Sequence, residues 1–261
     1  MNKKTIGIAI TCAFIALALV SGGILLQQYF DAKNSTEAFE NLSDKIVDVT
    51  VSIPAPETEN ENLKEDTASQ EAELARQKYS ALFEQNQDFI GWISIDGTNV
   101  NYPVMQTPNN PDYYLKHSFE KSYSDYGVPY IDEACALGIS NNIVVYGHHM
   151  KNGSMFADIC KYADRSFYES HKTIKFDTLS TLGEYEVVAV FKFDTNNETF
   201  KFNEYTTMDE AEFNEFMESV HSRQLYDTGV DAEYGDELLT LSTCEYTYKN
   251  GRFVVVAKKV S

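Results

Sequence analysis

Cys244, His148 and Arg252 are the residues whose types and positions most readily make chemistry together. Cys244 closes the run Leu239-Thr240-Leu241-Ser242-Thr243-Cys244-Glu245, and Arg252 opens the next, Gly251-Arg252-Phe253-Val254-Val255-Val256. Two such runs joined by a short loop ending in Asn250-Gly251 read as an antiparallel hairpin. That hairpin brings a thiol and a guanidinium to one end of a sheet. His148 follows another apolar run, in Val144-Val145-Tyr146-Gly147-His148-His149. A thiol becomes a nucleophile when a base takes its proton, and a tetrahedral intermediate needs a donor for its oxyanion. Cysteine, histidine and arginine at three strand ends therefore point to acyl transfer through a thioester. Singly, each has an ordinary reading: a packed free cysteine, a capping histidine, a solvated edge arginine. The combination carries the argument.

Strands must hold these groups in place, and the period of the sequence supplies them. Residues 90–95 and 100–104, separated by Asp96-Gly97, read as a hairpin, and 143–146 as a buried strand. Further strands fit 173–176 and 185–193, where Tyr185, Val187, Ala189, Phe191 and Phe193 are expected on one face. The last two strands are 238–244 and 252–258. Before them, Thr207-Met208-Asp209-Glu210 reads as a capping box opening a helix with an apolar stripe of Phe213, Phe216, Met217 and Val220. A helix over 69–86, carrying Leu74, Leu82 and Phe83 at helical spacing, precedes the first strand, and a shorter one spans 154–162. Many short strands with a few helices predict a mainly β fold with α, a mixed barrel. Side chains alternate along a strand, so His148 and His149 should face opposite sides if the strand persists through them, whereas Ser242 shares the face of Cys244.

At this level of detail the residues resemble a known family. Thr240-Leu241-Ser242-Thr243-Cys244, the downstream Arg252, and Tyr146-Gly147-His148 with Met150 and Ser154-Met155-Phe156 beyond it are similar to sortase motifs. Leu-Ser-Thr-Cys-Glu, Tyr-Gly-His-His-Met and the closing Arg-Phe-Val-Val-Val-Ala-Lys resemble class B of that family, and the resemblance covers about residues 74–261. It implies a sortase-type β-barrel with an N-terminal helix and a helix before the cysteine strand. It also implies a membrane-anchored cysteine transpeptidase of Gram-positive bacteria that cleaves C-terminal sorting signals of surface proteins. Cys244 would be the nucleophile, His148 the acid/base, and Arg252 the binder of substrate or oxyanion. The acyl group would pass to an amine of cell-wall peptidoglycan. Ser242, Tyr146 and Asn101 match positions near the class B substrate groove, and Glu245 is placed to orient an acceptor amine. Three other readings stay open: a pilin polymerase with a lysine acceptor, a cysteine peptidase with water as acceptor, and a non-catalytic, membrane-tethered binding domain.

Composition narrows the setting. The chain of 261 residues carries forty acidic and twenty-one basic side chains, a net charge of −19. No basic patch with interleaved aromatics occurs, so nucleic acid is not an expected partner. No metal-ligand spacing occurs, no cofactor is implied, and His117, His171 and His221 read as surface residues. Lys3-Lys4 precede an uncharged apolar stretch over 5–26, about the length that spans a ~30 Å hydrocarbon core. Residues 1–4 then form a cytoplasmic tail, 5–26 a membrane helix, 27–73 a polar extracellular stalk with a helical piece around 37–49, and 74–261 the catalytic domain. Of four cysteines, Cys12 falls in the apolar stretch, leaving Cys135, Cys160 and Cys244 outside it. That odd number argues against a disulfide framework and makes Cys135 and Cys160 packing residues.

Overall fold

Seven strands follow the expected period-two runs and an eighth, β3, does not: β1 (Phe89–Ser94), β2 (Asn101–Met105), β3 (Tyr130–Ile131), β4 (Asn142–Tyr146), β5 (Thr173–Thr178), β6 (Glu184–Asp194), β7 (Leu238–Glu245) and β8 (Gly251–Lys259). The computed structural model describes residues 3–47, 61–196 and 199–261. In it the strands close into a barrel in the order β1-β2-β3-β4-β7-β8-β6-β5. β1 and β2 form the expected antiparallel hairpin, as do β7 and β8. Gly251 closes the second hairpin, since a Cβ there would lie 2.6 Å from the Glu245 carbonyl oxygen. Asn250 before it adopts φ 67°, a left-handed turn conformation that asparagine tolerates.

Two pairings are invisible to periodicity. β2 runs parallel to the two-residue β3, and β4 runs parallel to β7 with Tyr146 opposite Ser242. The second of these sets the Tyr146-Gly147-His148 segment beside Ser242-Thr243-Cys244. The single face expected for β6 is interrupted: a bulge between Val187 and Ala189 puts an extra residue into the strand, and Val188 and Val190 are buried as well.

The chain divides into two compact units, Met1–Asn41 and Leu42–Ser261. The described residues of the first are helical. They belong to α1 (Lys3–Ser43), whose apolar part holds an 18-residue window of mean hydropathy 1.7. Phe14, Leu17, Leu19, Leu25 and Leu26 are all exposed there.

The second unit begins well before residue 74. Leu42 is 2% exposed, Lys45 Nζ donates to Gln85 Oε1 at 2.7 Å, and the Val47 N–H donates to the Lys78 carbonyl at 3.2 Å. One leucine among acidic neighbours gives no periodic signal, so the expected stalk hides this packing. Residues 48–60 of that stalk lie outside the described residues. α2 (Glu61–Gln85) starts earlier than residue 69 and buries Ala75, Tyr79 and Leu82, with Leu74 and Phe83 half-buried beside them.

A chain beginning at Leu42 should therefore match the full protein in stability. One beginning near Ser69 should keep peptide activity but lose roughly 1.5–3 kcal/mol, the worth of one buried leucine. Denaturant titration of the two truncations measures the difference, and equal midpoints would remove any role for Leu42.

The remaining helices fit the sequence with local shifts. The short helix expected over 154–162 is a 3₁₀ segment at Phe156–Ala163, and α3 (Arg165–Ser170) follows it. α4 (Glu210–Arg223) buries the stripe Phe213, Phe216, Met217 and Val220. Its capping box is formed by Asp209 and Glu212, not by Thr207 and Glu210. Both pairs have the required spacing, but the Thr207 hydroxyl is taken by Ser140 Oγ at 3.0 Å.

Candidate active site

The groove containing Cys244 lies where β4, β7 and β8 end. In the β7–β8 ladder Cys244 stands opposite Arg252, and directly paired residues project to the same side of a sheet. Parallel pairing of β4 with β7 then carries the chain after Tyr146 to the same rim. Gly147 is required at that turn, because a Cβ would sit 2.5 Å from the Phe156 ring. Its carbonyl accepts the Thr243 hydroxyl at 2.7 Å, tying the histidine segment to the residue before Cys244. The resulting groove of about 550 Å³ is lined by Cys244, His148 and Arg252, with Leu115, Tyr146 and Ser242 among the other walls. That volume suits a short peptide segment.

Each group has a defined setting. His148 Nε2 lies 2.7 Å from the Leu115 carbonyl oxygen. A carbonyl can only accept, so Nε2 holds the hydrogen and Nδ1 keeps the free lone pair. Burial lowers the His148 pKa below the ordinary histidine value, partly offset by that hydrogen bond. Arg252 is half-buried and lines the groove, and its Nη1 donates to the Gly251 carbonyl at 3.1 Å. Ser242 is 1% exposed, and its hydroxyl has no hydrogen-bond partner among the described residues. A buried hydroxyl without a partner costs free energy, which a bound peptide group would recover. Tyr146 donates to Asp132 Oδ2 at 2.6 Å; burial, and then this carboxylate, push its phenol upward.

The structure brings five of the seven expected residues to this groove: Cys244, His148, Arg252, Ser242 and Tyr146. Asn101 is not among them. It starts β2, whose other end at Met105 pairs with Tyr130 of the groove wall, about 13 Å away at a strand's rise per residue. There it lines a separate depression with Ser43 and Lys78 and accepts from Trp92 Nε1 at 2.7 Å. Glu245 also turns away, as alternation after Cys244 requires. Its carboxylate pairs with Lys192 at 3.0 Å and accepts from the Thr247 N–H and hydroxyl. Burial alone would raise that carboxyl, yet these partners hold it below the usual carboxylate range.

Other thiols and imidazoles are placed elsewhere. Cys135 and Cys160 are free thiols, each pushed up to about 12 chiefly by burial. His117 and His171 stack on Tyr113 and Phe167, and His221 meets Asp231 at 2.9 Å. β4 ends at Tyr146, so strand alternation does not extend to the two histidines; His149 is not among the residues lining the groove, and its Nδ1 lies 2.9 Å from the Cys244 carbonyl oxygen. Sequence reasoning missed Asp132, Tyr130 and the Leu115 carbonyl. The first two depend on the β3 pairing, and a main-chain oxygen has no residue signature.

Comparison with known proteins places this geometry. Residues 93–260 match the Sortase domain family. The chain is 33% identical to Sortase B of Listeria monocytogenes over 189 residues, covering 71% of this chain and 75% of that one. It is 27% identical to Sortase B of Staphylococcus aureus, covering 99% of this chain and 98% of the relative. Its fold is similar to a Staphylococcus aureus sortase B–substrate complex, with TM-score 0.71 and 27% identity over 89% of this chain and 99% of that one.

Proposed function

The chain belongs to the sortase family and is a class B cysteine transpeptidase, and on that premise we propose that it anchors surface proteins to the cell wall through a Cys244 thioester. In this reading the Cys244 thiol attacks the scissile carbonyl of a C-terminal sorting signal, and its proton passes to His148. The tetrahedral oxyanion collapses as His148 protonates the leaving amine, and an acyl-thioester remains on Cys244. A wall-peptide amine then gives its proton to His148, attacks the thioester and releases the free thiol. Arg252 holds the substrate carbonyl or the developing oxyanion, while the Ser242 hydroxyl and Tyr146 line the bound peptide.

The observation that carries the proposal is the shared groove of Cys244, His148 and Arg252, with the Ser242 hydroxyl buried and unpartnered at its floor. The apolar part of α1 supports membrane anchorage, because its exposed leucines and phenylalanine need a nonaqueous cover. Lys3 and Lys4 then stay on the cytoplasmic side, and the catalytic unit lies outside the cell.

Product analysis tests the acceptor. A peptide library bearing sorting signals, incubated with and without an added wall-type amine, should give the amide product only when the amine is present. Hydrolysis at the same rate with and without it would make the protein a peptidase, and conjugation only to a pilin lysine would make it a polymerase. Arg252 gives a second test. A planar fork holds two acceptors at once, whereas lysine is a point charge. Arg252→Lys should lose most of kcat, and Arg252→Ala about 10²–10³-fold, the cost of an oxyanion donor. Unchanged kcat in both variants would reduce Arg252 to an edge charge.

A further inference from the structure

Beyond the residues that line the groove, the main chain of Cys244 is held by a side chain. The β4–β7 pairing ends at Tyr146 opposite Ser242, and Gly147 adds one more bond by donating to the Ser242 carbonyl at 3.1 Å. In a parallel ladder the next acceptor on that edge is two residues on, the Cys244 carbonyl. Among the described residues no main-chain N–H after Gly147 reaches it, because the chain leaves the sheet and bridges His149 to Met155 instead. His149 Nδ1 stands in that place, 2.9 Å from the Cys244 oxygen. Since a carbonyl only accepts, Nδ1 carries the hydrogen and donates it.

The imidazole is itself fixed. Tyr246 donates its hydroxyl to the His149 carbonyl at 2.9 Å, and its ring centroid lies 5.0 Å from the imidazole. Cys160 Sγ lies 3.4 Å from Nδ1 and 3.9 Å from the same Cys244 oxygen. The Phe156 N–H donates to the His148 carbonyl at 2.8 Å and holds the turn between the two histidines.

We propose that His149 is a positioning residue: its imidazole replaces the missing rung of the β4–β7 ladder, anchors the Cys244 main chain at its carbonyl, and so holds the thiol in the groove. The inference rests on Cys244 acting as the nucleophile. Cys244 sits one residue from the end of β7, where a strand frays most easily. Displacement of its main chain would carry the Cβ and the sulfur with it. A misplacement of about 1 Å at a reacting atom is enough to cost on the order of 10²-fold in rate.

The test compares His149→Asn with His149→Leu in the full chain, using peptide cleavage with an amine acceptor present. Asparagine offers an N–H close to where Nδ1 stands; leucine has the same shape and no donor. His149→Leu should lower kcat by roughly tenfold to a hundredfold, leave KM little changed and keep the acidic limb of the pH–rate profile. His149→Asn should recover most of the loss. Thermal melts establish that each variant is folded, and if the leucine variant is not, His149→Ala takes its place. Wild-type kcat in all the variants lacking the donor would overturn the proposal. So would equal inactivity of the asparagine and leucine variants, or loss of the acidic limb, since either would make His149 a proton carrier. Failure of the underlying reading is separate: it would be seen as turnover that survives Cys244→Ala.

Discussion

Cys244→Ala is expected to abolish turnover while leaving the fold intact. Its sulfur is half-buried at the rim of the groove, so removing it opens no large cavity. The stability change should stay within about 1 kcal/mol, the ordinary range for a substitution that empties no core. The rate should fall on the order of 10⁶-fold, the scale seen when a covalent nucleophile is removed. Urea titration and single-turnover kinetics on one peptide measure the two quantities. A variant as stable as wild type that still conjugates peptide to amine would leave the thioester without a place. A variant that unfolds would make the residue structural.

His148→Ala is expected to cost ~10²–10⁴-fold, the usual worth of one general acid/base. Its pH dependence is more diagnostic than its size. A thiol with neutral imidazole and a thiolate with imidazolium hold the same number of protons. The acidic limb of kcat/KM therefore falls where the pair takes up one further proton, whichever form reacts. Burial lowers the His148 pKa, so that limb should lie below the ordinary histidine midpoint of about 6.5. Protonation on the acidic side removes activity, and raising the pH through the limb restores it. His148→Ala should erase the limb, whereas His149→Asn should keep it. An acidic limb that persists in His148→Ala would transfer the proton-carrying role to another group.

Most of the strands and the central site were legible because their signals are local. The hairpin of β7 and β8 follows from two apolar runs and an Asn-Gly turn, and it places Cys244 against Arg252 without help from the rest of the chain. Ser242 follows from alternation alone. What was illegible depends on contacts distant in sequence. β3 is two residues long and has no period to detect, yet it delivers Tyr130 and, beyond it, Asp132 to the groove wall. Asn101 was misplaced for the complementary reason: its neighbours in sequence say nothing about which end of β2 reaches the groove. Leu42 was missed because a single buried residue in a polar segment has no pattern. The role inferred for His149 needs the parallel β4–β7 register, which no local reading of Tyr-Gly-His-His provides.

The central claim is that peptide is carried as a thioester on Cys244, and trapping that species tests it most directly. A sorting-signal peptide library is mixed with the protein in the absence of amine, quenched in acid within a single turnover, and mapped by intact mass and peptide sequencing. Cys135 and Cys160, both pushed up to about 12 by burial, should remain unmodified. The acyl fragment should be found on Cys244 and should leave as the amide when an amine is added before the quench. Cleaved peptide with no adduct on Cys244, or an adduct on either of the other two thiols, would contradict the account.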